Sequence, residues 1–278
     1  MRQRQDEQNK PDKAVIRVRD LKAGYGEEVI LKDLNFDILA GEIFVILGGS
    51  GCGKSTLLKH LIGLHPPLAG SIVINGIEIS GDDEAGYRRV LRQCGILFQG
   101  GALFGSMTLA ENVALPLLEY TGLPPFYIDI LVRMKLALVN LSGYENHLPA
   151  EISGGMKKRA GLARALALSP KILFFDEPSA GLDPVTSAEL DQLLLHLNRT
   201  LGTTMVLVTH ELASIFTVAD RVIMLDKQSK GIIAEGDPAY LRDHGKNDYV
   251  RRFFNRAPET AAANSLQSKN LQPKNLKQ

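Results

Sequence analysis

The 278-residue sequence has only two cysteines, Cys52 and Cys94, and it contains no tryptophan. Two cysteines cannot build a disulfide framework and do not form the paired spacing of a metal site, so we interpret both as core or loop thiols. No apolar run approaches the roughly 18 residues that a membrane-spanning helix requires. Residues 1–7 are polar and lack the apolar segment of a signal peptide. We therefore expect the chain to remain in the cytosol.

An excess of charge of one sign is also missing. Lysine and arginine total 32 against 31 acidic residues, for a net charge of +1. Each basic residue near an anionic bilayer contributes about 1 kcal/mol, so this balance provides little direct attraction to a membrane. Nucleic acid is not expected as a partner for the same reason. Any association with a membrane therefore requires a protein partner.

The composition is that of a globular chain, with 45% hydrophobic and 23% charged residues. This length suits one domain, or one domain with a subdomain. We expect a polar N-terminal tail over residues 1–13 and a folded domain over residues 14–256. Residues 257–278 are rich in Ala, Asn, Gln, Ser and Lys, and we interpret them as a disordered tail. The alternative is that their isolated leucines dock on a partner subunit.

Wholly apolar runs at residues 43–47, 172–175 and 205–208 are typical of strands buried on both faces of a parallel sheet. Further strands are predicted at residues 14–18, 34–39 and 95–98. Helical patterns follow Ser55, Pro184 and His210, which is the alternation of a doubly wound α/β fold.

Residues 100–168 have helical rather than strand character, and they predict a helical subdomain inserted into the sheet. Thr108 and Glu111 fit a capping box, with Leu109, Val113 and Leu117 on one face of the following helix. Pro116 is expected to kink this helix, and Pro124 and Pro125 to separate it from the next.

Residues 48–55 match the phosphate-binding pattern Gly-x-x-x-x-Gly-Lys-Ser, between a buried strand and a helix. Glycines let the backbone turn its N–H groups toward phosphate oxygens, and the helix N-terminus adds a positive dipole. Lys54 is expected to contact the β- and γ-phosphates, and Ser55 to ligate Mg²⁺. A chance glycine-rich turn is disfavoured by this strand and helix context.

Polar side chains follow three of the other predicted strands. Asp176 and Glu177 end the run 172–175, at the sheet edge where ligands bind in open α/β folds. Asp176 is the candidate to hold Mg²⁺ through its water shell, and Glu177 to polarise the attacking water. His210 could donate a hydrogen bond to the γ-phosphate, and Gln99 offers an amide for Mg²⁺ or water.

Two further segments are candidates for the same site. Asp183 and Pro184 form a helix N-cap and first-turn proline, a structural role compatible with a functional one. Residues 152–159 read Ile-Ser-Gly-Gly-Met-Lys-Lys-Arg, a small-residue turn before a basic helix that offers a second phosphate contact. The three basic residues have a simpler interpretation as a solvated helix face.

In this order, the motifs resemble the ATPase subunits of ABC transporters over roughly residues 15 to 240. The resemblance implies a P-loop ABC-ATPase fold, with a RecA-like core, an N-terminal antiparallel β subdomain and an inserted helical subdomain. It also implies an ATP hydrolase that uses ATP and Mg²⁺ as a homodimer. The catalytic residues would be Glu177, His210 and Gln99, and the Mg²⁺ ligands Ser55, Gln99 and Asp176.

The same resemblance assigns the nucleotide contacts. Tyr25 occupies the place of an aromatic residue that stacks on adenine, although a tyrosine near a turn more often serves packing. ATP would be sandwiched between two copies, with Ser153, Gly154 and Gly155 of one copy completing the site of the other. Met156 departs from the family pattern, which has glutamine there. The remaining ATP contacts would be Asp183 and Gly48, Gly49, Ser50, Gly51, Cys52, Gly53, Lys54, Ser55 and Thr56.

Residues 101–104, followed by residues 108–118, and residues 152–159 narrow the resemblance to Mla-type ATPases, which work with MCE proteins to move phospholipids across the bacterial envelope. This implies integral membrane permease subunits and an MCE-domain protein as partners. The chain would then be peripheral on the cytoplasmic face of the inner membrane. An importer of polar solutes shares every catalytic motif and remains an alternative. A soluble ABC ATPase acting on DNA or ribosomes is a third, although such relatives usually carry a second nucleotide domain, a long coiled coil or zinc-binding cysteines.

Overall fold

The computed structural model describes residues 14–79 and 84–257. The tail expected at residues 1–13 lies outside these ranges, as does the second expected tail beyond Ala257. The strands are β1 (Ala14–Tyr25), β2 (Glu28–Leu39), β3 (Ile43–Gly48), β4 (Ala69–Ile74), β5 (Ile77–Glu78), β6 (Cys94–Leu97), β7 (Ile172–Asp176), β8 (Thr204–Val208), β9 (Arg221–Asp226) and β10 (Gly231–Gly236). The helices are α1 (Lys54–Leu61), α2 (Glu84–Leu91), α3 (Leu109–Tyr120), α4 (Pro125–Leu138), α5 (Gly154–Ala165), α6 (Pro184–Leu201), α7 (Leu212–Val218), α8 (Pro238–His244) and α9 (Asp248–Asn255).

The N-terminal strands form an antiparallel sheet in the order β2-β1-β4-β5. In β1, Ile16 and Val18 are buried whereas Arg17 and Arg19 are exposed, because successive side chains of a strand point to opposite faces. The predicted strands at residues 14–18 and 34–39 are parts of longer strands, since β1 and β2 pair from end to end as a hairpin.

A second sheet has the order β10-β9-β3-β8-β7-β6, with β9, β3, β8, β7 and β6 parallel and β10 antiparallel. All residues of β3 and β8 are buried, as their wholly apolar sequences predict. Val45 and Leu47 pack in one core cluster, and Phe44 and Ile46 in the other. The sheet is therefore covered on both faces, and its carboxyl edge carries the phosphate loop.

Between β6 and β7 the chain forms α3, α4, a 3-10 turn at Pro149–Glu151, and α5. The capping box is present, because Glu111 N donates to Thr108 Oγ1 at 3.2 Å and Thr108 N donates to Glu111 Oε2 at 2.7 Å. Helix α3 continues past Pro116, and α4 begins at Pro125. None of the helices within residues 14–79 and 84–257 is both long and apolar enough to cross a bilayer.

Candidate functional site

The phosphate loop joins the end of β3 to the start of α1 in a backbone path that requires glycine. Gly48 has φ 148° and Gly53, the residue before α1, has φ 101°. A Cβ on Gly48 would lie 2.4 Å from the carbonyl oxygen of Leu225, so a side chain does not fit there. The backbone conformation and the packing at this turn therefore both require glycine at position 48.

Two side chains stabilise the loop from within. Lys54 Nζ donates to the carbonyl oxygens of Gly48 at 2.9 Å and Gly49 at 3.1 Å, so the ammonium lies across the loop. Cys52 is buried, and burial raises the pKa of its thiol. Any contact of Cys52 with phosphate would therefore be made by its backbone N–H group.

Asp176, the last residue of β7, faces the start of α1. Ser55 Oγ lies 3.5 Å from Asp176 Oδ1. Burial raises the pKa of Asp176 and the charge of Glu177 acts in the same direction, whereas the Ser55 hydroxyl and Lys59 oppose them. A cation bound here would offset the cost of burying this carboxylate.

Glu177 is held in an uncommon backbone conformation, with φ 49°. Its N–H donates to the carbonyl oxygen of Val208 at 2.9 Å, which ties the end of β7 to β8. The Oε1 atom lies 2.9 Å from His210 Nδ1, whereas Oε2 is buried without a hydrogen-bond partner. A buried carboxylate oxygen without a partner is costly, so Oε2 is poised to accept a hydrogen bond from a water molecule.

The contact with Glu177 determines the tautomer of His210. A neutral imidazole that donates from Nδ1 to the carboxylate keeps a lone pair on Nε2. Nε2 then accepts a hydrogen bond, and it donates to a phosphate oxygen only when the ring carries both protons. The predicted donation to the γ-phosphate therefore requires the imidazolium form; a neutral His210 in this tautomer would instead accept a hydrogen bond at Nε2.

A cavity of ≈ 810 Å³ brings the predicted residues of three strand ends together. Gln99, Glu177 and His210 line it with most of the phosphate loop. Its lining is Ile30, Gly48, Gly49, Ser50, Gly51, Gly53, Lys54, Ser55, Thr56, Gln99, Glu177, Ala180, His210 and Phe253. This volume falls within the range of small-ligand sites.

Several predicted contacts lie outside this lining. Tyr25, at the end of β1, packs edge-on against the His65 ring at a centroid distance of 5.0 Å. Asp183 is the N-cap of α6 and accepts from Val185 N at 3.0 Å and from Thr186 N at 3.1 Å. The Thr186 hydroxyl also donates to the Asp183 carboxylate. This hydrogen bond lowers the pKa of Asp183 most, and the backbone N–H groups of Thr186 and Val185 lower it further.

The turn at Ser153 also lies outside the cavity of its own chain. Ser153 is the N-cap of α5 and accepts from Met156 N at 3.2 Å, so the helix begins at Gly154 rather than after Gly155. A Cβ on Gly154 would meet open space, whereas one on Gly155 would lie 2.6 Å from Thr186 Cγ2. Gly155 thus permits close packing on α6, and Ser153 and Gly154 are left exposed.

Lys158 is a residue whose position the sequence did not reveal. The interpretation of residues 157–159 as a solvated face is wrong for it, because it is buried and its Nζ donates to Ala180 O at 2.8 Å and Glu177 O at 3.4 Å. Burial lowers its pKa. Successive residues of a helix project about 100° apart, so residues 157–159 span about 200° of the helix circumference, and α5, which packs against α3, α4, α6 and β6, buries one of them. The run of three consecutive basic residues was therefore the sequence feature that could have indicated a buried lysine.

The oxygen donors at the site suit Mg²⁺ if water and nucleotide phosphates complete its coordination. Ser55 and Asp176 supply neighbouring oxygens, and Glu177 Oε2 lacks a partner. Within the described residues no three His, Cys, Asp or Glu side chains cluster as a metal site. Mg²⁺ commonly binds through one or two protein oxygens together with water and substrate phosphates. The site therefore suits Mg²⁺ that arrives with a nucleotide.

Comparison with known proteins relates this geometry to one family. Residues 31–180 match the family model described as "ABC transporter". A protein of Mycobacterium leprae named "Probable ribonucleotide transport ATP-binding protein mkl" is 47% identical, over 88% of this chain and 70% of its own length. The methionine import ATP-binding protein MetN of Xylella fastidiosa is 44% identical, over 76% of this chain and 64% of its own. This chain thus spans about two thirds of each relative.

Solved structures agree in fold. The ATP-binding cassette MJ0796, in a dimeric post-hydrolysis state bound to ADP and Pi, has a TM-score of 0.72 and 32% identity, over 80% of this chain and 98% of its own. CbiO1 of Clostridium perfringens, part of the transporter complex cbiONQ, has a TM-score of 0.75 and 28% identity, over 92% and 99% of the two chains. The expected P-loop ABC-ATPase fold is confirmed. The chain belongs to the ABC transporter family, in which it is an ATP-binding and ATP-hydrolysing subunit.

Proposed function

We propose that this ATPase powers phospholipid transport across the bacterial cell envelope through a separate permease, at the cytoplasmic face of the inner membrane. The supporting observation is that the two stretches with Mla-type character lie against each other, since a Cβ on Gly101 would lie 3.0 Å from the carbonyl oxygen of Lys157. Arg164, on α5, donates to the carbonyl oxygens of Gly101 at 3.1 Å and Ala102 at 2.8 Å. A Cβ on Gly161 would lie 2.8 Å from Gly101 O, so loop and helix are closely packed.

The loop after Gln99 is the proposed permease contact. Asn112 is buried and fixes this loop, since its Oδ1 accepts from Phe104 N at 2.8 Å and its Nδ2 donates to Phe104 O at 3.1 Å. The Phe104 side chain is nevertheless 51% exposed, and Leu118 and Tyr120 on α3 are similarly exposed. A rigid loop that presents an exposed aromatic ring suits docking of a partner protein.

We infer that two copies sandwich ATP. Ser153 and Gly154 offer the exposed N-terminus of α5, where N–H groups and the helix dipole favour a phosphate. Because these residues do not line the cavity of their own chain, a second copy is the source of a complete site. The two dimeric structures of the MJ0796 cassette support a dimer of this kind.

Within each site the residues take distinct roles. Lys54 leaves its two carbonyl partners to contact the β- and γ-phosphates, and the phosphate loop directs N–H groups at the same charge. Ser55, Asp176 and Gln99 would hold Mg²⁺, which neutralises charge on the phosphate oxygens. Glu177 Oε2 accepts a hydrogen bond from the attacking water and orients it, while His210 holds the carboxylate through Oε1.

The alternative is an importer of polar solutes, and the names of the relatives favour it. One is named for ribonucleotide transport and another for methionine import. The catalytic residues do not separate these cargos, since all ABC ATPases perform the same hydrolysis. An MCE-domain protein among the partners would separate them.

Purification of the complex from solubilised membranes tests the cargo. We expect a permease, an MCE-domain protein and bound phospholipid to co-purify, and ATP hydrolysis by the complex in vesicles to depend on phospholipid composition. The matched control is a complex carrying Lys54→Ala, which should retain its subunits but lose hydrolysis. A complex that contains a periplasmic solute-binding protein, and whose hydrolysis responds to a nucleoside or an amino acid instead, would support the alternative.

A further inference from the structure

Helix α9 (Asp248–Asn255) packs beside the phosphate loop, although its sequence carries no nucleotide-binding motif. Val250 and Phe254 are buried, and the Phe254 ring lies 5.7 Å from the ring of Phe216 on α7. Asn247 caps the helix by accepting from Tyr249 N at 2.9 Å. The helix is therefore anchored on the domain by its apolar face.

Tyr249 contacts the outer side of the phosphate loop. A Cβ built on Gly49 would lie 3.0 Å from the Tyr249 hydroxyl, so the hydroxyl occupies the space beside that glycine. Burial raises the pKa of Tyr249, and Cys52 and Asp226 act in the same direction. The phenol therefore remains neutral and serves as a packing and hydrogen-bonding group at physiological pH.

Phe253 lies one helical turn after Tyr249 and lines the same cavity as Gly49, Lys54 and His210. Its ring is perpendicular to that of Phe254, at a centroid distance of 5.6 Å. An edge-to-face pair of this kind restricts the ring and favours one orientation. Phe253 thus supplies an oriented apolar wall, together with Ile30 and Ala180, to the cavity that the phosphate loop also lines.

The first half of the phosphate loop, residues 48–51, has few side chains of its own to order it. Residues 48–51 include three glycines and one serine, which lose much conformational freedom when they are ordered around a phosphate. The glycines have no side chains with which to pack the loop from outside. Tyr249 lies beside Gly49 and Phe253 lines the same cavity, so an anchored α9 that carries both would reduce the freedom that ATP binding must remove.

We propose that Tyr249 and Phe253 are positioning residues of the nucleotide site, through which α9 holds residues 48–51 in the phosphate-binding conformation. The proposal rests on the cavity as the ATP site and is independent of the cargo. Because Tyr249 lies beside Gly49 of the phosphate loop, Tyr249→Ala should affect the binding of ATP, ADP and GTP alike. The turnover rate of bound ATP should change little, since neither side chain contacts Glu177 or His210 in the hydrogen-bond network.

Alanine substitutions in the full chain test this role by equilibrium binding and steady-state kinetics. We expect Tyr249→Ala and Phe253→Ala each to weaken ATP and ADP binding by about fivefold or more and to raise KM, with kcat within about twofold of wild type. Phe253→Leu keeps an apolar wall and should restore most of the affinity. Tyr240→Ala, an exposed residue on α8, is the matched control and should bind as wild type does.

A tryptophan reporter gives a second test that does not depend on a loss of affinity. Because the chain contains no tryptophan, Phe253→Trp introduces a single fluorophore at the proposed wall. Its emission should shift on addition of ATP or ADP, whereas Tyr240→Trp should not respond. Wild-type affinity in both alanine variants, together with unchanged emission of the Phe253→Trp variant on nucleotide addition, would overturn the proposal. Absence of nucleotide binding by wild-type protein would instead contradict the assignment of the cavity itself.

Discussion

The His210 imidazole holds one oxygen of the Glu177 carboxylate, with Nδ1 lying 2.9 Å from Oε1. The other oxygen, Oε2, is buried and has no partner. The left-handed backbone at Glu177, with φ 49°, directs this carboxylate toward the cavity. One oxygen is thus used for orientation, and the other is free for a water molecule.

Glu177→Gln should lower kcat by about 10²-fold or more, because an amide cannot polarise water as a carboxylate does. ATP-dependent dimer closure should persist, since Lys54, Ser55 and the phosphate loop are unchanged. Single-turnover hydrolysis and size-exclusion chromatography with ATP measure the two effects. Glu189→Gln, an exposed acid on α6, is the control. Hydrolysis at the wild-type rate would contradict the assigned role.

Lys158→Met should reduce hydrolysis and lower the free energy of unfolding by about 1–3 kcal/mol, because it leaves the carbonyl oxygen of Ala180 without its Lys158 donor and removes one of the two donors to the carbonyl oxygen of Glu177. Those carbonyls belong to the segment that positions the Glu177 carboxylate. Urea unfolding and steady-state kinetics measure both effects. Lys157→Met, at the neighbouring and less buried position, should change neither; equal effects at both positions would show that the buried contacts have no special role.

Asp191, on α6, should make stability depend on pH. It is buried, and burial raises its pKa to about 6 in the folded state from 3.8. Between these two values the folded state binds more protons than the unfolded state, so this group lowers stability as pH rises through about 6. Asp191→Asn should therefore stabilise the protein above about pH 6 by on the order of 1–3 kcal/mol, with the gain vanishing near pH 4. Urea unfolding of both proteins across this range measures the difference; a constant difference would refute the shift.

Phe104→Ala should weaken co-purification with the permease without changing nucleotide affinity or basal hydrolysis. The ring is exposed, with the Arg164 guanidinium 5.8 Å from its centroid, and it does not line the nucleotide cavity. Pull-down from solubilised membranes, alongside ATP binding by the isolated chain, measures the two properties. Substitution of exposed Tyr240 on α8 should leave both intact. Undiminished permease recovery with the Phe104 variant would place the docking surface elsewhere.

Much of the fold followed from local patterns in the sequence. The strands β3, β7 and β8 were predicted within a residue or two, because buried parallel strands are continuously apolar. The capping box at Thr108 and the cap at Asp183 likewise depend on residues two or three positions apart. Strand β6 was predicted at residues 95–98 and spans Cys94–Leu97, so it is shifted by one residue.

The sequence alone determined the phosphate loop, the strand-end polar residues and the membership of this chain in its family, because these features reside in short runs whose chemistry is local. Only the tertiary structure decided that Glu177 pairs with His210, that Lys158 is buried beneath the same segment, and that the Tyr249 hydroxyl of α9 lies beside Gly49. Each of these contacts joins residues at least 19 positions apart. Their partners are chosen by packing against the whole sheet, and no local pattern specifies that choice.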